Sequence, residues 1–275
     1  MGPLPLELAV AFEVLGRHAV PGPLVETVAA ATLLAELGEP ALAKAWLPGI
    51  ATGTAVLSLA RLDTASASPF TSRYALDADS ADAVLVVSDD ELRAAVVPGP
   101  PPLASHDPAR RLHRPDAGGE ILASGPPVRR AAERAGLVAA LVTAAQSLGV
   151  GRTLLARTVG YVKERRQFGA AIGSFQAVKH RLADVLIALE FAQPLVHAAA
   201  LSLDSRDVAM AKVAAGEAAC TAARAALQLH GAIGYTEELD LSLWLRKARP
   251  LRDAWGTPAA CRTLVVESAA LGRSG

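Results

Sequence analysis

The stretch Tyr161-Val-Lys-Glu-Arg-Arg-Gln-Phe-Gly-Ala-Ala-Ile-Gly-Ser-Phe-Gln-Ala-Val-Lys-His-Arg-Leu-Ala-Asp184 joins two helical patterns through a break at Gly169. Before it, Leu137, Leu141, Leu148 and Leu155 fall on one apolar stripe with small residues between them. After it, Val178, Leu182, Val185, Leu186 and Leu189 mark a second amphipathic run, which Pro194 is expected to bend or end. The junction therefore reads as helix, turn, helix. A third run, Val208 to Leu229, is rich in alanine and closes on His230-Gly231. A last helix opens at Thr257-Pro258, a capping residue followed by proline in the first turn, and stops at Gly272. Three or four helices of ~20–25 residues, each ~30–38 Å long at the helical rise, predict a bundle. It occupies 129–275.

Two further zones lie upstream. Residues 1–54 read as short helices: Leu24 to Leu37 has helical spacing and stops at Gly38, and Pro40 suits the first turn of another helix ending near Trp46, before Pro48-Gly49. Residues 55–128 change character. Ala55 to Leu59, Ala83 to Val87 and Leu92 to Val97 are short apolar runs bounded by turn residues, followed by the breaker Pro98-Gly-Pro-Pro-Pro102 and a loop-like stretch over 104–120. They predict strands of a small sheet or open barrel. The fold class expected is mainly α with a small β domain.

Composition narrows the function classes. Hydrophobic residues make up 52% of the chain and aromatics only 4%, so the interior is built from Ala, Leu and Val, which suits close-packed helices. The 27 basic and 27 acidic residues cancel, which argues against nucleic acid or an anionic membrane as partner. Short Arg runs such as Arg110-Arg111-Leu-His-Arg114 fit a solvated loop. The start of the chain has no basic segment before an apolar one, so no signal peptide is expected, and no charge-free apolar stretch reaches spanning length. Cys220 and Cys261 lack metal spacing; two reduced core thiols in a cytoplasmic protein, with no metal site, are expected.

Two clusters carry potential chemistry. Arg165, followed by Gln167 and Phe168, sits at a helix end; its guanidinium suits a phosphate group, or equally the helix C-terminal dipole. Gln176 opens the next helix. The second cluster is Gln228-Leu-His-Gly-Ala-Ile-Gly-Tyr235, where Gly231 and Gly234 would let backbone approach a ligand, while a helix end and a core His230 bonded to a carbonyl explain the same residues without one. Gly149-Val-Gly151 reads as close helix packing, not as a nucleotide loop.

Together the clusters resemble the C-terminal domain of flavin-dependent acyl-CoA dehydrogenases. The pattern is Tyr-x-x-x-Arg-x-Gln-Phe-Gly-x-x-Ile-x-x-Phe-Gln-x-Val-x-x-x-Leu-Ala-Asp, then Gln-x-His-Gly-x-x-Gly-Tyr-Thr-Glu-Glu, and it covers roughly residues 130–272. Phe12 to Thr27 resembles the family's N-terminal helices more weakly. The resemblance implies three parts: N-terminal helices (1–54, truncated), a middle β domain (55–128, shortened) and a four-helix bundle (129–275). It implies FAD. Arg165 would bind its pyrophosphate with Gln167 and Phe168 beside it, Gln228, Gly231 and Ala232 would hold the ADP portion, and Gln176 would lie near the adenosine. In the family these groups serve the flavin seated in a neighbouring subunit.

The family's carboxylate base precedes Gly-Thr near the start of the last helix, and here that position is Trp255, whose indole cannot accept a proton. The alternate base position on the first long helix falls at Ala139. Asp253, and more weakly Glu133, are the remaining carboxylates nearby. In the middle domain, Ala60 to Pro69 carries no recognisable flavin-lining motif. The resemblance thus implies a base-lacking subunit of an α2β2 acyl-CoA dehydrogenase. The acyl-CoA, possible in the form of a steroid side-chain thioester, would sit on a homologous catalytic partner, and electrons would pass to an electron-transfer acceptor protein. The alternatives are a self-sufficient enzyme using Asp253 and a flavin-free scaffold.

Overall fold

The computed structural model describes residues 4–62, 68–95, 102–116 and 118–271. The helices are α1 (Pro5–Arg17), α2 (Leu24–Leu37), α3 (Pro40–Thr52), α4 (Pro126–Glu164), α5 (Gln176–Ser202), α6 (Ser205–His230), α7 (Leu241–Asp253) and α8 (Pro258–Leu271). The strands are β1 (Leu57–Arg61), β2 (Ala75–Leu76), β3 (Ala83–Ser88), β4 (Glu91–Ala94), β5 (Leu112–His113), β6 (Glu120–Ser124), β7 (Arg166–Gln167) and β8 (Ala170–Ala171). The mainly α class with a small β portion is the one observed. Val96, Val97, most of the proline breaker, Asp63 to Ala67 and the expected stop at Gly272 lie outside the described residues.

The chain forms two compact units. One comprises Pro21–Ala140 with Ala254–Gly256. Its sheet has the order β1-β3-β4-β6: β1 and β3 pair in parallel, the others antiparallel, with a bulge at Leu92/Arg93. Ala60, Ala75, Ala78, Val84 and Val86 form a small apolar core. Helix α2 packs on β1, and Thr27 Oγ1 donates to the Leu57 carbonyl at 2.7 Å. Gly38 ends α2 at φ 71°, a left-handed conformation that glycine adopts without steric cost. Helix α3 does not stop near Trp46 as expected; it runs through Pro48-Gly49 to Thr52. The hydrogen bond that Pro48 cannot donate would go to the carbonyl of exposed Lys44, where water can replace it. The end is tied by Thr54 and Ala55 N–H groups on the Gly49 carbonyl.

The second unit comprises Leu4–Val20, Leu141–Asp253 and the chain from Thr257 onward. Helix α4 is longer than expected, 39 residues or ~58 Å. Helix α5 continues straight past Pro194 in sequence, for the same reason as α3: Glu190, whose carbonyl loses its donor, is exposed. Small residues set the packing distances. A Cβ on Gly149 would lie 1.9 Å from the Glu13 carbonyl oxygen of α1, and one on Gly151 2.6 Å from Leu189 Cδ2 of α5. The Gly149-Val-Gly151 run is therefore close packing. Helix α6 buries an alanine-rich face, and Asp204 caps its N-terminus by accepting from the Arg206 and Asp207 amides. Helix α7 was not anticipated; it buries Leu241, Trp244, Ala248 and Leu251. Lys212 Nζ, buried, donates to the Leu251 and Arg252 carbonyls at its C-terminus (2.9 and 2.6 Å).

Helices α4 and α5 contain windows apolar enough by composition to cross a membrane, but 83% of the α4 window is buried within the fold and 33% of the α5 window. Cys220 and Cys261 are free and buried, and burial pushes both thiols above their ordinary range, which keeps them unreactive.

Candidate functional site

The junction after α4 is more structured than a plain turn. Arg165 N–H continues the helix onto the Tyr161 carbonyl, and β7 and β8 then form a two-residue hairpin closed by Ile172 N–H on the Arg165 carbonyl. Its loop is Phe168-Gly169, with φ of 53° and 76°. Such primed turns match strand twist and normally use Asn-Gly, because both positions need positive φ. A left-handed Phe costs about 1–2 kcal/mol. This one is also 91% exposed, touching Phe175 edge-on at 6.3 Å between centroids. Arg165, Gln167 and Gln176 are exposed as well, and among the described residues Arg165 makes no ion pair.

The second cluster stands beside the first. Tyr161 stacks on His230, centroids 4.2 Å apart, and its hydroxyl donates to the His230 carbonyl at 3.4 Å. His230 itself is a core histidine, Nδ1 lying 2.8 Å from the Ala226 carbonyl. Gln228, Gly231 and Ala232 are exposed. Gly231 has φ 65° and ψ −140°, a region close to glycine-only. Gln228 and Tyr235 border a groove of ≈ 530 Å³ between α5 and α6, whose other polar lining includes Arg181, Arg224, Asp184 and Thr221. The fold thus gathers all the residues expected at a cofactor, Arg165, Gln167, Phe168, Gln176, Gln228, Gly231 and Ala232, within one unit and turns them outward. Donors, one cation and one apolar ring facing solvent together are suited to a phosphate-bearing, flat-ringed ligand.

The positions where the resemblance would put a base look different. Trp255 is 2% exposed, at φ 52°, followed by Gly256 at 124°. Its Nε1 donates to Glu26 Oε1 at 3.1 Å. Ala139 is buried. Asp253 has an exposed carboxylate paired to Arg252 Nε at 2.9 Å, and Glu133 is exposed. Neither has the enclosure that tunes a carboxylate base. Glu26 was missed by sequence reasoning. It is 2% exposed; burial pushes its carboxyl above the ordinary 4.5, against the opposing pull of Arg110 and the Trp255 bond. Its place on one helical stripe with Ala29, Ala30 and Leu33 was the available signal. Among the described residues no cluster of side chains could hold a metal ion.

Known proteins resemble this chain over most of its length. The family model described as "Acyl-CoA dehydrogenase, C-terminal domain" matches residues 130–270. Acyl-CoA dehydrogenase IpdE2 of Mycobacterium tuberculosis is 35% identical over 243 residues, covering 88% of this chain and 71% of that protein. Its namesake from Mycolicibacterium smegmatis is 30% identical, covering 92% and 75%. Among solved structures, a variant of the Tcur3481-Tcur3483 steroid ACAD superimposes with a TM-score of 0.83 at 25% identity, covering 98% of this chain and 81% of that one.

Proposed function

The chain belongs to the acyl-CoA dehydrogenase family, and from that premise we propose that it is the half-site subunit of a heteromeric, FAD-dependent enzyme. The family consists of oxidoreductases acting on the CH–CH bond of acyl-CoA thioesters. The observation that carries the reading is an asymmetry. The outward cluster from Arg165 to Ala232 is complete and exposed, whereas the base position holds a buried, proton-inert indole.

The residues present fit the ADP half of FAD. Arg165 suits the pyrophosphate as a charge-assisted donor worth about 1.5–3 kcal/mol. Phe168, strained and in water, is suited to cover a ligand brought by another chain. Gln167, Gln176, Gln228 and the Gly231-Ala232 backbone offer further polar contacts. When bound, FAD supplies the hydride acceptor for α,β-dehydrogenation. The base that removes the α proton belongs to a homologous partner with Glu or Asp before its Gly-Thr, in an α2β2 assembly. The exposed apolar residues Leu186, Ile187, Phe191 and Leu201 of α5 support such association. Acyl-CoA binds on the partner, and electrons leave to an electron-transfer acceptor protein. Likeness to the steroid ACAD supports steroid side-chain CoA thioesters as the substrate class. The buried free thiols accord with a cytoplasmic setting.

Co-expression with such a homologue tests the reading. Turnover is expected only in the complex, and replacing the partner's base carboxylate by its amide abolishes all of it. Turnover by this chain alone, or turnover that survives the amide substitution, overturns the proposal. A self-sufficient enzyme based on Asp253 has the exposed Arg252 pair against it.

A further inference from the structure

The half-site reading uses Trp255 only as a missing base and leaves Glu26 unused, yet both lie within one compact unit and contact each other through polar atoms. The backbone of Trp255 and the carboxyl of Glu26 set them apart from ordinary core residues. Trp255 keeps a left-handed backbone at φ 52°, unfavourable for a bulky side chain and sustained only where the surroundings over-determine it. Trp255 is 2% exposed, so almost none of it meets solvent. The group at its Nε1 is a carboxyl, 2% exposed, where a neutral acceptor such as a backbone carbonyl would cost less to bury. The other carboxyl oxygen, Glu26 Oε2, has no hydrogen-bond partner among the described residues.

We infer that the Trp255 indole and the Glu26 carboxyl form a plug that occupies this chain's own acyl site, so that the chain binds no acyl-CoA itself. This rests on the half-site reading, in which position 255 is where a base would meet the substrate. The turn at Trp255-Gly256 has positive φ at both residues and carries a buried indole where the half-site reading would put a base. Glu26 is a positioning residue. It accepts the indole N–H, and its burial disfavours the charged form of the carboxyl beside the ring. The bond to Glu26 and the burial of the ring hold Trp255 in its left-handed conformation.

The test uses the full chain without partner or FAD, so its failure leaves the half-site assignment standing and a failure of the half-site assignment leaves its outcome readable. Binding of butyryl-CoA is measured by calorimetry to wild type and to Trp255→Gly. Wild type is expected to show no binding up to the highest concentration used, and the variant a Kd at least tenfold below that limit. Should glycine leave the chain unfolded, Trp255→Leu, which keeps an apolar filler but is shorter and lacks the N–H, is read by the same criterion. Wild type taking up one butyryl-CoA per chain, or a folded variant binding no better than wild type, overturns the plug. A second arm reads Glu26. Added indole should raise the melting temperature of Trp255→Gly more than benzothiophene, which has the same shape without an N–H, and Glu26→Leu should erase that preference. Equal effects of the two compounds on Trp255→Gly, or a preference that survives Glu26→Leu, overturn the role of Glu26.

Discussion

Replacing Phe168 by Asn separates what the chain gains from this ring from what a partner gains. Phe168 sits at φ 53° and is 91% exposed. A left-handed L-residue costs about 1–2 kcal/mol, and Asn tolerates the region far better than Phe. The ring returns little to its own chain. Its edge contact with Phe175 spans 6.3 Å between centroids, and such a pair is worth about 0.5–1.5 kcal/mol, least when solvent surrounds it. The net effect of Phe168→Asn is a stabilisation of about 0.5–1 kcal/mol, or ~1–4 °C in melting temperature for a chain of this size. The assay pairs a thermal melt of the isolated chain with FAD retention by the assembled complex after gel filtration. A higher melting temperature with weaker retention is expected, the trade-off of a strained functional position. A lower melting temperature would show that the ring serves this chain's own stability. Unchanged retention would show that it touches no cofactor. Either refutes the reasoning.

Three other outcomes follow from the same structure. Arg165→Ala should weaken FAD retention in the complex by about 10- to 150-fold, the loss of one charge-assisted phosphate contact, with the isolated chain's melt unchanged because the guanidinium is exposed. Because burial raises Glu26 above its ordinary 4.5, the folded chain holds a proton that the unfolded chain releases. Its stabilisation is whole below that ordinary value and is lost as pH rises through the folded value. Glu26→Gln, neutral throughout and still offering an oxygen to Trp255, should flatten that slope in denaturant titrations and exceed wild type in stability at alkaline pH. Gly149→Ala would set a Cβ 1.9 Å from the Glu13 carbonyl oxygen and should cost about 1–3 kcal/mol or more, lowering the melting temperature by at least ~2 °C.

The long helices were legible because their signals are local: leucine stripes, Gly38 at a left-handed stop, Thr257-Pro258 at a start. Pro48 and Pro194 misled because proline's penalty depends on whether the orphaned carbonyl can reach water, and at Lys44 and Glu190 it can. Helix α7 was hidden by Arg246, Lys247, Arg249, Arg252 and Pro250, which mask the apolar spacing of Leu241, Trp244, Ala248 and Leu251. The hairpin at Phe168-Gly169 was invisible because Phe is a poor residue for a primed turn. Of the candidate site, the motif residues were readable one by one, and the Tyr161–His230 stack that brings the two clusters together was not. Trp255 was recognisable as an anomaly, but its partner Glu26 lies 229 positions away, and no spacing rule reaches that far.

Under the half-site proposal, this chain lends the Arg165 cluster to a flavin seated in another chain. The most direct measurement is flavin stoichiometry in the purified complex with the base-carrying homologous partner, by absorbance against total protein. One FAD for every two chains, lost when Arg165 of this chain becomes Ala, is the result predicted. One FAD per chain, or a full complement that survives Arg165→Ala, would contradict it.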